Sequence, residues 1–332
     1  MADTDSARTA AHFGRVAVSR YRRIMLSLPM GVNGDLRAPG FDKDGACRLQ
    51  CLKAGRLGEE QVTQTAERSI PTGHEHRAGL TLIALQSGSN GNCLYVEGGG
   101  VSVLFDAGIG GREARRRLAL HGREIGSAAA VILSHDHSDH TRGAGVLHRM
   151  FGLPLRMTDL TEELVRYRIG RVSGVTLFRP GDVLQFGGLR IETVPTPHDG
   201  AEGVAFVVSD GVSRLGILTD LGHVFEGLGE LVSSLDAVFI ESNYDAEMLE
   251  YGPYPYHLQD RIRGPGGHLS NAESAALLRE WSGDRLRWVC LAHLSAENNR
   301  PELALEAHRA ALGERLPIHL AGRHGPSGPF VL

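Results

Sequence analysis

The sequence predicts a four-layer αββα sandwich, an α/β fold in which two β-rich halves lie face to face between outer helices. Strand patterns follow one another from Leu80 to the C-terminus, and helical periods separate the later ones. The length of 332 residues suits one large domain with additional segments, and 42% hydrophobic residues can form an ordinary globular core.

The predicted domain begins with three strands at 80–85, 93–97 and 101–105, which glycine-rich turns separate. Asp106 ends the third strand, and an arginine-rich helix follows it. We expect the remaining strands at 128–133, 174–178, 183–186, 189–195, 203–209, 213–219, 235–241, 287–292 and 316–320. Helices are expected at 143–151, 159–169, 223–233, 271–282 and 301–312.

Residues 1–79 show no sustained strand or helix period, and glycine, proline and charged residues interrupt every apolar run. We therefore expect a disordered or loosely packed N-terminal extension ahead of one domain at 80–332. A translation start further along the chain is the alternative.

The segment LSHDHSDH, from Leu133 to His140, is the strongest functional signal in the chain. It places three imidazoles and two carboxylates within six residues, directly after a buried-strand pattern. In α/β folds, ligands bind and catalytic residues lie at the carboxyl ends of strands. His and Asp side chains suit zinc, manganese or iron, and this density is enough for more than one ion. A solvated loop rich in histidine is the alternative, which the specific H-x-H-x-D-H spacing disfavours.

This spacing resembles a metal-binding motif of the metallo-β-lactamase superfamily, and three later positions follow that family's order. His198, Asp220 and His293 each come after a strand pattern. Taken singly, each is more often an ordinary polar residue that ends a strand. Four motifs in the family's order favour the two-metal interpretation and imply the metallo-β-lactamase fold.

The resemblance implies a catalytic domain with two divalent ions, Zn²⁺ or alternatively Mn²⁺. The first ion would have the ligands His135, His137 and His198. The second would have the ligands Asp139, His140 and His293, with Asp220 bridging both. Two adjacent ions can share a hydroxide and stabilise both oxygens of a displacement. Asp106 is expected to hold the ligand loop, or simply to end its strand.

Two further positions bear on the substrate. Glu241 ends a strand pattern, and His268 precedes a helix pattern. Ribonuclease Z-like branches of the superfamily have an acidic residue and a histidine at comparable places. The resemblance therefore implies that His268 protonates the leaving oxygen of a phosphodiester and that Glu241 orients it, with Asp139 also in the catalytic set. In the alternative, Ser270 or Asn271 caps the helix and His268 takes no part in catalysis.

The wider pattern is similar to a narrower group, the bacterial YycJ (WalJ) metallohydrolases, over about residues 80–321. Tyr244 stands where that group commonly has a histidine. The similarity rests on the segments SGSNGNC at 87–93, ESN at 241–243, GPYP at 252–255, GHLSN at 267–271 and AHLSAENN at 292–299. It implies a nuclease, a 5′-to-3′ exonuclease acting on DNA.

Charge limits how a nucleic acid would be bound. Residues 1–79 carry a net charge of +3, whereas residues 80–332, with 23 basic and 30 acidic side chains, carry −7. Nucleic-acid-binding proteins usually have a basic surface. We therefore expect a DNA substrate that is held through a few phosphate contacts.

The sequence contains no run of eighteen or more apolar residues and no clear signal peptide, so we expect no membrane association. Its four cysteines are too scattered for a disulfide framework. We expect a cytoplasmic protein, and the sequence leaves the oligomeric state open.

Two functions compete with the nuclease. A hydrolase of small thioesters or lactones on the same scaffold would suit the acidic domain, whereas Glu241 and His268 favour the nuclease. A metal-dependent regulatory protein without turnover would be expected if a ligand were missing, and every ligand position is filled.

Overall fold

The computed structural model describes residues 79–332, so the expected N-terminal extension lies outside the described residues except for Gly79. Residues 79–332 form two seven-stranded sheets with helices on their outer faces. The αββα class predicted from the sequence is therefore confirmed.

The two sheets divide the chain into an N-terminal and a C-terminal half, and only the last strand crosses back. The first sheet has the order β14-β1-β2-β3-β4-β5-β6. Its strands are β1 (Thr81–Gln86), β2 (Cys93–Gly98), β3 (Val101–Phe105), β4 (Val131–Ile132), β5 (Leu155–Thr158), β6 (Thr176–Phe178) and β14 (Ser327–Val331). The second sheet has the order β13-β12-β11-β10-β9-β8-β7. Its strands are β7 (Val183–Phe186), β8 (Leu189–Pro195), β9 (Val204–Ser209), β10 (Arg214–Leu218), β11 (Ala237–Glu241), β12 (Trp288–Ala292) and β13 (Ile318–Leu320).

The helices lie between these strands in the chain. They are α1 (Gly111–Ala119), α2 (Ser138–Thr141), α3 (Ala144–Phe151), α4 (Asp159–Ile169), α5 (Leu228–Ser233), α6 (Ala246–Tyr251), α7 (Tyr256–Arg263), α8 (Asn271–Trp281) and α9 (Pro301–Leu312), with a short 3₁₀ turn at Ile125–Ser127.

Strand β1 shows why the sheets are buried on both faces. Leu82 and Ala84 pack into the cluster between the two sheets, whereas Ile83 and Leu85 pack into the cluster under α1, α3 and α4. Side chains alternate along a strand, so a continuous apolar run supplies both layers. Phe105 lies in the central layer with its ring centroid 4.9 Å from that of Phe206, and its truncation to Ala would cost about 3–5 kcal/mol.

The topology brings strand ends together. β10, β11 and β12 run parallel and in register, with Leu218 beside Ile240 and Ile240 beside Leu291. β3 and β4 are also parallel. The carboxyl ends of parallel strands meet at one edge of a sheet, and that edge is where ligands bind in such folds.

Several elements differ from the prediction. β5, β14, α2, α6 and α7 were not predicted, because each is short or rich in glycine and proline. The helix expected at 223–233 begins only at Leu228, after Gly227 with a φ of 86°. The strand expected at 128–133 is reduced to β4, and the N–H of Ser134 donates to the Asp106 carboxylate instead of to a neighbouring strand. None of the helices between residues 79 and 332 is long and apolar enough to cross a membrane.

Candidate metal centre and active site

The residues predicted as ligands, and Asp106 beside them, gather at the carboxyl-terminal edge of the two sheets. Asp106 and His293 directly follow β3 and β12, and Asp220 follows β10 by two residues. These three residues have left-handed φ angles of 60°, 53° and 56° respectively. Such backbone costs about 1–3 kcal/mol at a residue other than glycine and is concentrated at functional sites.

The three histidines that the resemblance assigns to the first ion lie together. His135, His137 and His198 each offer a nitrogen within 4.8 Å of the others. His198 Nε2 is 3.3 Å from His137 Nδ1. His135 and His198 come from the two different sheets, so the group forms only when the sheets pack.

The residues assigned to the second ion form a separate group. Donor atoms of Asp139, His140 and His293 lie within 4.8 Å of one another. Helix α2 supplies Asp139 and His140. Gly108 allows the close approach of this loop, since a Cβ at that position would lie 1.6 Å from the carbonyl oxygen of Asp139.

Asp220 lies between the two groups. Its Oδ2 is 3.4 Å from His140 Nε2, and its Oδ1 is 3.5 Å from His293 Nε2 and 3.7 Å from His198 Nε2. The carboxylate thus faces residues of both predicted ion sites, as a bridging ligand would.

Four of these histidines direct Nδ1 away from the cluster to an oxygen acceptor, which fixes the ring, and three of them turn Nε2 toward Asp220. The acceptors are the Asp106 carboxylate for His140 at 2.7 Å, the Gly267 carbonyl for His198 at 2.8 Å, the Ser134 hydroxyl for His135 at 2.9 Å and the Asn92 amide oxygen for His293 at 3.3 Å.

The pKa shifts of most of these side chains favour the binding of a cation. Burial lowers the pKa of His135 well below its usual value. Burial would raise the pKa of Asp220, but His293 and His140 hold it well below the usual range. His140 is the exception, because Asp106, Asp220 and Asp139 outweigh the effect of burial and raise its pKa. The carboxylates of Asp106, Asp139 and Asp220 therefore attract positive charge to the cluster.

Two buried atoms test whether the group fits a metal. Among residues 79–332, His135 Nε2 and Asp220 Oδ2 are buried and have no hydrogen-bond partner. Each such atom costs about 1–3 kcal/mol when it stays unsatisfied. Imidazole nitrogens and carboxylate oxygens are the donors that Zn²⁺ accepts. The residues present therefore fit a divalent ion.

Glu241 and His268 form a pair next to this cluster. Glu241 is fully buried at the end of β11, and its carboxylate accepts from the N–H groups of Asp220, Leu221 and Leu269 at 3.0–3.1 Å. His268 Nδ1 lies 3.2 Å from Glu241 Oε2. Burial alone would lower the pKa of His268, but Glu241 reverses this and raises it. The contact with Glu241 thus favours the protonated form of the imidazole.

The helix cap expected in the alternative and the contact between His268 and Glu241 are both present in the structure. Ser270 caps α8 in a capping box with Glu273, while His268, two residues earlier, keeps its contact with Glu241. His268 also has a donor atom within 4.8 Å of those of His198 and Asp220, so the geometry permits a ligand role as well.

A cavity of about 220 Å³ opens over the cluster, and sequence reasoning missed several of the residues around it. Asp199 lies with its Oδ1 3.5 Å from His137 Nε2, and its position directly after His198 was the available signal. Asn92 donates from Nδ2 to Asp139 Oδ2 at 3.3 Å, although its segment, SGSNGNC at 87–93, had served only to indicate the similarity to the YycJ group. Tyr254 and Arg261 also line the cavity; Tyr254 lies in the segment GPYP at 252–255, whereas no motif marked Arg261.

A family model described as a β-lactamase superfamily domain matches residues 102–293. The chain belongs to this superfamily. Exodeoxyribonuclease YycJ of Bacillus anthracis is 33% identical over 250 residues, which cover 73% of this chain and 95% of that protein. Exodeoxyribonuclease WalJ of Streptococcus pneumoniae serotype 2 is 34% identical over 230 residues, which cover 68% and 86% respectively. The chain is therefore of the YycJ/WalJ type.

A solved structure supports the fold. The metallo-β-lactamase fold protein YhfI of Bacillus subtilis superposes with a TM-score of 0.56 at 18% identity, over 77% of this chain and 99% of that one. The predicted family and fold are confirmed. Together with the clustered His and Asp side chains, they make the protein a metal-dependent hydrolase.

Proposed function

We propose that the protein is a two-metal phosphodiesterase that shortens DNA in the 5′-to-3′ direction. The observation that carries this proposal is the contact between Glu241 and His268, which places a proton donor at 3.2 Å from a fully buried carboxylate and beside the predicted ligands. The names of the YycJ and WalJ relatives support the nuclease class and the DNA substrate.

The ligand sets proposed for the two ions follow the two groups in the structure. The first comprises His135, His137 and His198, the second comprises Asp139, His140 and His293, and Asp220 would bridge them. Bound Zn²⁺, or alternatively Mn²⁺, would supply an activated water and neutralise charge on the phosphate.

The protein's own residues would supply the proton for the leaving oxygen. His268 is oriented through Nδ1 by Glu241, so the proton for the leaving oxygen would come from Nε2. Three backbone N–H groups hold Glu241 in place, and they leave its Oε2 close to the imidazole. Asp139, in the second ligand group, would orient the nucleophile as well as hold metal.

The alternative is a hydrolase of small thioesters or lactones, and the same pair weighs against its thioester substrates. An alkoxide is a poor leaving group without a proton, whereas a thiolate, whose conjugate acid has a pKa of about 8.5, leaves readily. A buried donor pair is therefore expected in a phosphodiesterase and has little purpose in a thioesterase. The regulatory alternative is weakened because all seven predicted ligands are brought together.

The test is a panel of substrates with Zn²⁺ or Mn²⁺ added: end-labelled single- and double-stranded DNA, RNA, a thioester and a β-lactam. We expect DNA cleavage that excess EDTA abolishes and added metal restores, with 5′-labelled strands losing their label first. Cleavage that persists in EDTA, or a thioester turned over faster than DNA, would overturn the proposal. The cytoplasmic location expected from the sequence stays a prediction.

A further inference from the structure

His137 differs from the other predicted histidine ligands in the way its ring is turned. Its Nδ1 lies 3.3 Å from His198 Nε2, inside the first group of ligands. The other four histidines direct Nδ1 to an oxygen acceptor instead. An imidazole that binds a metal through one nitrogen usually donates its other N–H to an oxygen. For His137, Nδ1 is therefore the atom available to an ion, and Nε2 is the nitrogen that needs an acceptor.

The side chain of Asp199 lies at that second nitrogen. Its Oδ1 is 3.5 Å from His137 Nε2, and among residues 79–332 no other carboxylate comes within 4 Å of this imidazole. A shift of about 0.5 Å would bring the two atoms to an ordinary hydrogen-bond distance. Asp199 is thus placed to be the acceptor for His137.

Two further contacts hold Asp199 in this position. Its Oδ2 accepts from Arg261 Nε at 2.6 Å, and its N–H donates to the Gly266 carbonyl at 2.9 Å. The next residue, Gly200, lets the segment pack against the first predicted ligand, since a Cβ there would lie 2.5 Å from His135 Cδ2. Arg261 therefore engages one oxygen of the carboxylate and leaves the other facing the imidazole.

Packing holds His137 less firmly than the other ligands. Its side chain is 28% exposed, whereas those of three other predicted histidine ligands are at most 2% exposed. A partly exposed imidazole keeps rotational freedom about its side-chain bonds unless a hydrogen bond fixes the ring. The orientation of His137 therefore depends on its partner at Nε2.

The position of Asp199 differs from that of a ligand. The groups of three donors that lie within 4.8 Å of one another, among the residues described, do not include it. One of its oxygens is engaged by Arg261. A carboxylate behind a histidine ligand fixes the ring and makes the ligand nitrogen more basic, which strengthens the bond to the metal. Such a role needs no direct contact between Asp199 and the ion.

We propose that Asp199 is a positioning residue for the first ion. Its Oδ1 accepts from His137 Nε2 and keeps Nδ1 turned toward the ion, and Arg261 in turn keeps Asp199 in place. The proposal rests on the proposed two-metal function, and it adds a residue that lies outside both proposed ligand sets.

The test uses the variants Asp199→Asn, Asp199→Ala and Arg261→Gln, and the double variant of Asp199→Asn with Arg261→Gln. The matched control is Asp260→Asn, which removes a carboxylate charge next to Arg261 from a side chain that is 74% exposed. The affinity for each of two Zn²⁺ ions is measured by competition with a chromophoric chelator. The melting temperature of the metal-free protein is measured as well, and a crystal structure of the zinc-loaded wild type locates the Asp199 carboxylate.

For Asp199→Asn we expect the affinity for one ion to fall by about 10–100-fold, the usual effect of losing a residue behind a metal ligand. The affinity for the other ion should stay near the wild-type value. Arg261→Gln should lose less and should add little to Asp199→Asn, because both changes act through the same carboxylate. The melting temperature of the metal-free protein should match that of Asp260→Asn, and saturating Zn²⁺ should restore most of kcat.

Four results would contradict the inference or the function on which it rests. Unchanged affinities in Asp199→Asn would overturn the inference alone. A metal-free protein that loses stability along with affinity would make Asp199 a structural residue, and a bond between Asp199 and Zn²⁺ in the crystal structure would make it a ligand; either result overturns the inference. A wild type that binds fewer than two ions would overturn the proposed function and this inference with it. By contrast, a wild type that binds two ions and cleaves no DNA would overturn the proposed function alone.

Discussion

The two sheets contribute to the candidate site in different ways. The first sheet supplies four predicted ligands from one loop of six residues, His135 to His140, after β4. The second sheet supplies His198, Asp220 and His293 one at a time, after β8, β10 and β12. The local loop can be recognised from its spacing, whereas the dispersed ligands meet only when three strands align.

The support behind the ligands differs in the same way. In the first half, the Asp106 carboxylate accepts from the Ser134 N–H at 2.8 Å and from His140 Nδ1 at 2.7 Å, so one side chain holds both ends of the loop. In the second half, the Glu241 carboxylate accepts from the N–H of Asp220 across the parallel pair of β10 and β11. Contacts within one loop thus position the ligands of the first half, whereas the register of two strands positions Asp220 in the second half.

Removing the residue between the two groups should have the largest effect. Asp220→Ala should reduce turnover below detection and lower bound metal, because the carboxylate faces His140, His198 and His293 together. Metal analysis by mass spectrometry and the oligonucleotide assay check this, with the exposed Asp260→Ala as control. Two ions per chain and a near-normal rate would contradict the bridging assignment.

Loss of His268, the proposed proton donor, should come next. His268→Ala should lower kcat by about 10²–10⁴-fold, since general acid catalysis acts mainly in the transition state. Bound metal should stay unchanged, and the loss should shrink for a p-nitrophenyl phosphodiester, whose leaving group needs no proton. Glu241→Gln should show the same dependence on leaving group, but more weakly.

Two other results would reassign His268. Its donor atom lies within 4.8 Å of those of His198 and Asp220, so a fall in bound metal would make it a ligand. An equal loss for good and poor leaving groups would make it a residue for binding or structure.

Weakening the support of the first-half loop should have a smaller effect. Asp106→Asn removes the charge that orients His140, and residues behind metal ligands typically change metal affinity by about 10–100-fold. Titration against a chelator should show this weaker affinity, and saturating metal should largely restore kcat. An unchanged affinity for metal would mean that the loop keeps its conformation without the Asp106 charge. The proposed difference in how the two halves support their ligands would then be wrong.

The halves also differ in how far the sequence could predict them. The ligand loop, the order of the later motifs and most strands were expected, because each leaves a local pattern of spacing or alternation. The part of the cavity lined by Tyr254 and α7 was not, since α7 is short and Gly252, Pro253 and Pro255 interrupt the pattern before it. β14 contains Gly328 and Pro329, and its pairing with β1 spans almost the whole domain.

His308 shows the limit of inference from residue type and burial. It is as buried as His140, yet its Nδ1 donates to the Ala304 carbonyl at 2.8 Å and its Nε2 contacts Ser274 Oγ at 3.2 Å. Both nitrogens are satisfied within the second half, away from the cavity. His308→Gln should therefore leave kcat, KM and bound metal unchanged, the smallest effect on function of these substitutions.

Its effect should appear instead in stability against pH. Burial lowers the pKa of His308 from 6.5 to about 4. Between these values the unfolded chain binds a proton that the folded one does not, so stability should fall as pH falls from 6.5 to 4 and level off below. The loss should approach about 3 kcal/mol. Urea unfolding of metal-free wild type and His308→Gln at pH 7, 5.5 and 4 isolates this contribution, because the metal-site groups titrate alike in both. The variant should lose less stability on acidification, and parallel losses would show that His308 is protonated in the folded protein.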